Sequence, residues 1–202
     1  FPMKTFAVMM SLILSLGLAS TAQAGLLIEP YLGYEFSSTF ELKTKGGSDV
    51  GGKTTGVVPG LRLGYKTPLM LWFALDYSMM SGGTHKENND GGSGKMDRTN
   101  AYIDVGMDFP ILLRGWVGYG VLNKAKYKDD NSGTDGTTFQ GGSNFKIGLG
   151  FTGFPLVSIN LEHYMHSPSE YDTGSTTKST SDTYSSAKES GTMLTVSIPF
   201  NL

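Results

Sequence analysis

The 202-residue chain has no cysteine, so no disulfide frame can hold it. A chain of this length must then be held by a buried core or by a sheet closed on itself. Past residue 24 it has no continuous apolar run long enough to cross a bilayer as a helix, which excludes a helical membrane protein. A barrel is not excluded, because its signal is alternation rather than length. Neither sign of charge dominates: 16 Lys and Arg against 18 Asp and Glu leave a formal charge of −2, and nothing points to nucleic acid. Histidine is scarce, and only His163 and His166 of the three stand close together, so no metal site and no cofactor are expected. The run Gly51-Gly52-Lys53-Thr54 lacks the first glycine of a phosphate-binding loop.

What is present begins with an export signal. Lys4 precedes an apolar run over residues 6–18, and Ala22 and Ala24 supply an A-x-A cleavage pattern. Residues 3–24 are therefore expected to be a signal peptide, and residues 25–202 to form one mature domain.

The mature part repeats. Pro68, Pro110, Pro155 and Pro199 stand 42, 45 and 44 residues apart. The segment 101–121 shows the unit most clearly: Ala101, Ile103, Val105, Met107 and Phe109 share one face, Tyr102, Asp104, Gly106 and Asp108 the other, and the chain turns at Pro110. Period-2 alternation of this kind is a strand signal, and a proline at the turn costs the ladder nothing. The same reading gives eight strands: 26–36, 55–65, 69–80, 101–109, 113–121, 139–151, 156–166 and 191–202. Three short turns alternate with four long polar loops, at 37–53, 81–98, 124–138 and 167–190. The fold class read from this is all-β: a closed, up-and-down, eight-stranded antiparallel β-barrel.

Which face lies inside decides the solvent. One face of the strands carries Leu, Ile, Val, Phe, Tyr and Met; the other carries Gly, Ala, Ser, Asn and a few charges. Eight strands leave an interior that side chains just fill, so the small, mixed face fits the lumen and the large apolar face fits lipid. The barrel is therefore expected to be transmembrane and inside out; a soluble barrel with an apolar interior is the alternative. Outward aromatics fall toward both ends, as bilayer interfaces select: Tyr34, Phe36, Tyr65, Phe73, Tyr77, Phe109, Tyr119, Phe151 and Phe200. Trp72 and Trp116 read as inward.

With its first strand at Ile28-Glu-Pro-Tyr-Leu-Gly-Tyr-Glu-Phe36 and its closing strand at Thr192-Met-Leu-Thr-Val-Ser-Ile-Pro-Phe-Asn-Leu202, the mature chain resembles the small outer-membrane β-barrels of the OmpA/OmpX type. The resemblance is one of pattern over the whole mature chain. It implies the outer membrane of a Gram-negative bacterium, short periplasmic turns, long extracellular loops, lipid and lipopolysaccharide as surroundings, a monomer, and a closing strand read by the barrel assembly machinery. Family members usually end on an aromatic residue; here Phe200 is followed by Asn201 and Leu202. The family does not imply one activity.

The inward face carries an expected charge network of Glu29, Arg62, Asp76, Asp104, Asp108, Arg114, Lys146 and Glu162, with Glu35 beside it. Because antiparallel partners across a hairpin keep a constant residue sum, the turns predict Arg62 opposite Asp76, Asp108 opposite Arg114 and Lys146 opposite Glu162. The network is expected to plug the lumen; alternatively it lines a narrow, porin-like path for ions or small solutes, with inward glycines (Gly33, Gly64, Gly106, Gly118, Gly120, Gly148 and Gly150) supplying free volume. Asp108, Arg114 and Glu35 are also read as possible rim positions. An enzyme is not expected. His163, His166, Ser167, Ser169 and Glu170 resemble the His-x-Ser-Asn element of lipid A deacylases only loosely, with the wrong spacing and no Asn. The reading is thus a structural or surface-interaction barrel, with a narrow pore as the alternative.

Overall fold

A computed structural model describes residues 24–47, 49–88, 92–129, 136–174 and 176–202; the expected signal peptide lies outside these apart from Ala24. The strands, in chain order, are β1 (Gly25–Thr44), β2 (Val50–Lys66), β3 (Leu71–Glu87), β4 (Ser93–Phe109), β5 (Leu113–Asp129), β6 (Thr138–Gln140), β7 (Ser143–Phe154), β8 (Val157–Ser167), β9 (Glu170–Asp172), β10 (Thr177–Ser179), β11 (Tyr184–Ser197) and β12 (Phe200–Asn201), with a single helical turn, α1 (Thr180–Thr183), before β11.

Eight of these form the wall, in the order β1-β2-β3-β4-β5-β7-β8-β11, and β11 pairs back onto β1. All neighbours are antiparallel, and β12 completes the seam on Leu27 and Ile28. Closure leaves no open edge in the wall, the condition for a sheet to cross a bilayer. The register sets the tilt. A path of directly paired residues leads from Leu63 through Leu75, Ile103, Tyr119, Phe145, Met165, Ser190 and Thr39 back to β2 at Lys53, 10 residues from its start. That stagger over eight strands inclines them by about 40° to the barrel axis.

Polarity is inverted. Leu75, Ile103, Leu149 and Val196 are about half exposed on the outside, whereas Arg62 and Asp76 are wholly buried within. An apolar belt of this extent encloses the whole barrel, and only lipid can cover it. All nine aromatics expected at the interfaces face outward. Trp72 and Trp116 are buried on the inside.

The strands are longer than their apolar alternation. Much of the expected loops is strand, since Thr- and Lys-rich ends continue the ladder into water: β1 runs on to Thr44, β3 to Glu87 and β5 to Asp129. Register shifts explain why the pattern changes phase there. One between Glu35 and Ser38 turns Ser38, Phe40 and Leu42 inward, and another, at Ala101 and Tyr102, lets both Val121 and Leu122 face out before Asn123 and Ala125 turn in. Phe40, Leu42, Phe139 and Tyr171, packed with Tyr127 and Tyr184, thereby close the outer mouth as a small aromatic core, with Phe40 stacked on Tyr127 at 4.9 Å.

At the opposite end each short turn places a non-glycine residue in the left-handed region: Met70 at φ 64°, Leu112 at 61° and Leu156 at 64°. A β-carbon is costly there, and Leu156, 78 % exposed, gains no packing in return. Leu156→Gly is expected to stabilise the barrel by about 0.5–1 kcal/mol after the entropy of glycine is counted, read as a higher urea midpoint for unfolding from micelles.

Candidate functional site: the charged lumen

The inward face is built of small residues, aromatic rings and paired charges, arranged in two clusters. In the inner cluster, nearer the short turns, Arg62 is the hub. Its Nε donates to Asp76 at 2.9 Å, Nη1 to Glu29 at 3.2 Å and Nη2 to Glu162 at 2.5 Å. Arg114 donates to both oxygens of Glu29 at 2.9 Å. Lys146 bonds Asp76 and stands 2.9 Å from Asp104 and 3.5 Å from Glu162. Four carboxylates thus meet three cations, all almost fully buried. Burial of charge is tolerable only with such pairing.

Aromatic rings finish the coordination. The Arg62 guanidinium lies over Tyr31 at 4.8 Å and Trp116 at 4.6 Å, Arg114 over Trp72 at 4.8 Å, and Lys146 over Tyr102 at 4.5 Å. Tyr31 also donates its hydroxyl to Asp76 at 2.7 Å.

Farther out, the second cluster has Arg98 at its centre. Arg98 binds Glu35, Glu189 at 2.7 Å and the Tyr164 hydroxyl, and its guanidinium stacks on the Tyr164 ring at 4.6 Å. His166 closes this cluster: Nε2 lies 2.9 Å from the Gly141 carbonyl and Nδ1 3.5 Å from Glu189. Beside it Val58, Met80, Met96 and Met193 form an apolar cluster, with Met80 paired directly with Arg98 and Met193 with Glu35.

The expected network maps onto this geometry with corrections. Arg62 does face Asp76, and Asp108 faces Arg114. Lys146, however, pairs in register with Tyr164, and Glu162 with Gly148; the hairpin at Pro155 is shifted by one residue in its centre, and only the length of the lysine brings Nζ to Glu162. Asp108 lies at the rim, a quarter exposed, and is paired with Lys66 at 2.5 Å. Arg114 and Glu35 are not rim residues; both are buried. The glycines supply no free volume. Gly106 and Gly148 lie directly opposite Trp72 and Trp116, whose indoles occupy the space a β-carbon would need, and Gly60 and Gly191 hold the rings of Tyr31 and Tyr164 in the same way. Nor do the residues singled out around His166 assemble: His166 points inward, Ser167 is exposed on the other face, and His163, also outward, bonds Thr192 at 3.0 Å.

No protein-family model matches the chain, and no curated protein sequence does. Solved structures do. Ail, the attachment invasion locus protein of Yersinia pestis, aligns with 87 % of this chain and 99 % of its own at 14 % identity and a TM-score of 0.51. Neisserial surface protein A aligns with 88 % and 99 % at 17 % identity (TM-score 0.49), and OprG of Pseudomonas aeruginosa with 90 % and 98 % at 10 % identity (TM-score 0.47). The fold is that of the small outer-membrane β-barrels. With the apolar belt, it makes the chain a bilayer-spanning barrel.

Two members of this outer-membrane barrel's lumen escaped the sequence reading. Arg98 was within reach: even positions from Gly106 back to Gly94 stay inward without a break, so strand alternation carried two turns of the pleat farther would have found it. Glu189 was not, because it lies in a polar stretch that has no apolar partner face to reveal a strand.

The two kinds of pair differ measurably. Arg62→Ala strands several buried carboxylates and is expected to cost about 3–5 kcal/mol in urea unfolding. Lys66→Ala breaks only a partly solvated pair at the rim and is expected to cost under about 1 kcal/mol.

Proposed function

We propose that the protein is a sealed outer-membrane barrel with a structural or surface-interaction role rather than a diffusion pore. The observation that carries this reading is how little space is left between the two charge clusters. Between the two charge clusters, the space walled by Tyr31, Glu35, Arg98, Tyr102, Glu162 and Tyr164 amounts to about 10 Å³, enough for about one water molecule. A conducting path needs a continuous file of water or loosely held ions. Here the charges are spent on each other, and rings and neighbouring side chains lie on the inward glycines.

What is left to meet the surroundings is the outside: the lipid belt, and the strand ends and connections beyond it. Those ends are polar and rich in Lys, Thr and Ser. A fold shared at such low identity transfers no ligand, so the interaction role rests on this exposure.

In planar bilayers the unmutated protein is expected to show no steady channel. Arg98→Gly removes the hub of the outer cluster together with its bulk, and is expected to give small, flickering conductance steps. A steady open channel in the unmutated protein discards the sealed reading and leaves the narrow pore.

A further inference from the structure

The aromatic core at the outer mouth does not fill the mouth. Against it lies an open vestibule of about 450 Å³, walled by the outer ends of the strands. That volume falls in the range of small-molecule sites, roughly 300–1,000 Å³. Its two sides differ in chemistry. One is aromatic: Phe40 and Phe139 form a buried base, and Tyr127 and Tyr184 are partly exposed. The rings brace one another, Phe40 on Tyr127 at 4.9 Å and Phe139 beside Tyr184 at 6.3 Å, so this surface is set before a ligand arrives. The other side is polar. It carries the Glu87 carboxylate, the His85 imidazole and the residues Ser93, Thr137 and Thr173, with bare backbone at Gly51, Gly92 and Gly94. His85 is itself held, its Nδ1 3.1 Å from the Thr54 hydroxyl and its ring edge-on to Tyr127 at 4.9 Å. Glu87 forms no salt bridge among the described residues.

Charge and polarity choose among ligands. Burial holds the His85 imidazole below its ordinary range, so it is uncharged at neutral pH. Lys128, at the edge of the lining, is already bonded to Asp97 at 2.6 Å. The lining therefore has little to draw a polyanion. A wholly apolar ligand fits no better, because displacing water would leave Glu87, His85 and the glycine backbone without partners. What fits is a molecule with a flat apolar face and an edge of groups that both donate and accept. A pyranose ring is built in this way. Its C–H bonds make one face apolar, suited to an aromatic ring, and its hydroxyls line the edge. A carboxylate accepts from two neighbouring hydroxyls, and an imidazole and backbone carbonyls meet others.

We infer that the outer vestibule binds a neutral saccharide, stacked on Tyr127 and Tyr184 and hydrogen-bonded to Glu87 and His85. This gives the surface-interaction role a ligand class and rests on that reading, since a vestibule above an open pore would pass its solute rather than keep it.

The test uses the full mature chain in phosphatidylcholine nanodiscs. Three neutral probes are titrated, maltotriose, lactose and N,N′-diacetylchitobiose, with sucrose octasulfate as the anionic contrast. Calorimetry reads binding, and saturation-transfer NMR reads which sugar protons touch the protein. At least one neutral probe is expected to bind, with saturation concentrated on the C–H groups of one ring face, and binding is expected to survive 0.5 M salt. Tyr184→Ala and Glu87→Gln are each expected to weaken it about tenfold. Gly92→Leu is expected to abolish it. A β-carbon there meets only the Glu87 carboxylate, at 3.5 Å, so the side chain suits the fold and takes the ligand's space. Lys178→Gln, exposed on β10 and outside the lining, leaves binding unchanged. Folding of each variant is checked by its altered gel mobility before and after heating. Capture of the nanodiscs on beads carrying the bound probe assigns a tethered surface glycan, and binding from solution alone assigns a free sugar; either supports the inference. It is overturned if none of the three probes binds, if binding persists unchanged in Tyr184→Ala, Glu87→Gln and Gly92→Leu, or if sucrose octasulfate binds this site more tightly than the neutral probes. Failure of binding beside a silent planar bilayer sinks this inference alone, whereas a steady channel sinks the sealed reading beneath it.

Discussion

Low dielectric on both sides of a single-layer wall is the constraint from which the rest of this structure follows. Within the belt the wall has hydrocarbon outside and a packed, almost water-free lumen inside. Backbone groups there have no water to fall back on, so the sheet closes, and every strand in the wall has two antiparallel neighbours. Charged side chains placed inside have no water either, so they find each other: Arg62 alone binds three carboxylates from three other strands. The same interactions that satisfy the charges cross-brace the barrel through its centre, tying β1, β2, β3 and β8 to one guanidinium.

The cross-bracing also explains the glycines. An eight-stranded lumen is too narrow to hold large residues on every strand at one level. Four inward rings therefore take the space above an inward glycine on the neighbouring strand, as Trp72 does on Gly106 and Trp116 on Gly148. The rings then serve a second purpose, since their faces receive the Arg62 and Arg114 guanidinium groups. Small residue, ring and cation form one repeating unit of lumen packing. Removing any of the three disturbs the other two.

Function follows from what the packing leaves over. A lumen whose charges and volume are already used has little to offer a solute. The outside is different. There the outer strand ends hold lysines in directly opposed pairs, an arrangement that a sheet in plain water would lose stability by keeping. The interior is organised by self-sufficiency.

The sequence by itself determined the class, the inverted polarity and most of the wall. Strict alternation needs only the two-residue period of a strand, and the opposed characters of the two faces suffice to choose lipid over water; both are local properties written along each strand. The turn at Pro68 was sharp enough to fix Arg62 opposite Asp76. Tertiary structure decided what depends on register and on phase. The hairpin at Pro155 is centred on the proline itself, one residue later than a pairing of Lys146 with Glu162 requires, which moved the two apart in the ladder. Bulges near Glu35 on β1 and at Val121 on β5 reversed the faces beyond them and sent Phe40 and Tyr127 inward, and no composition rule marks where a bulge falls. Whether inward glycines mean space or seats for other side chains was equally unreadable, because the groups that fill them, such as Trp72 at Gly106 and Lys146 at Gly118, come from other strands.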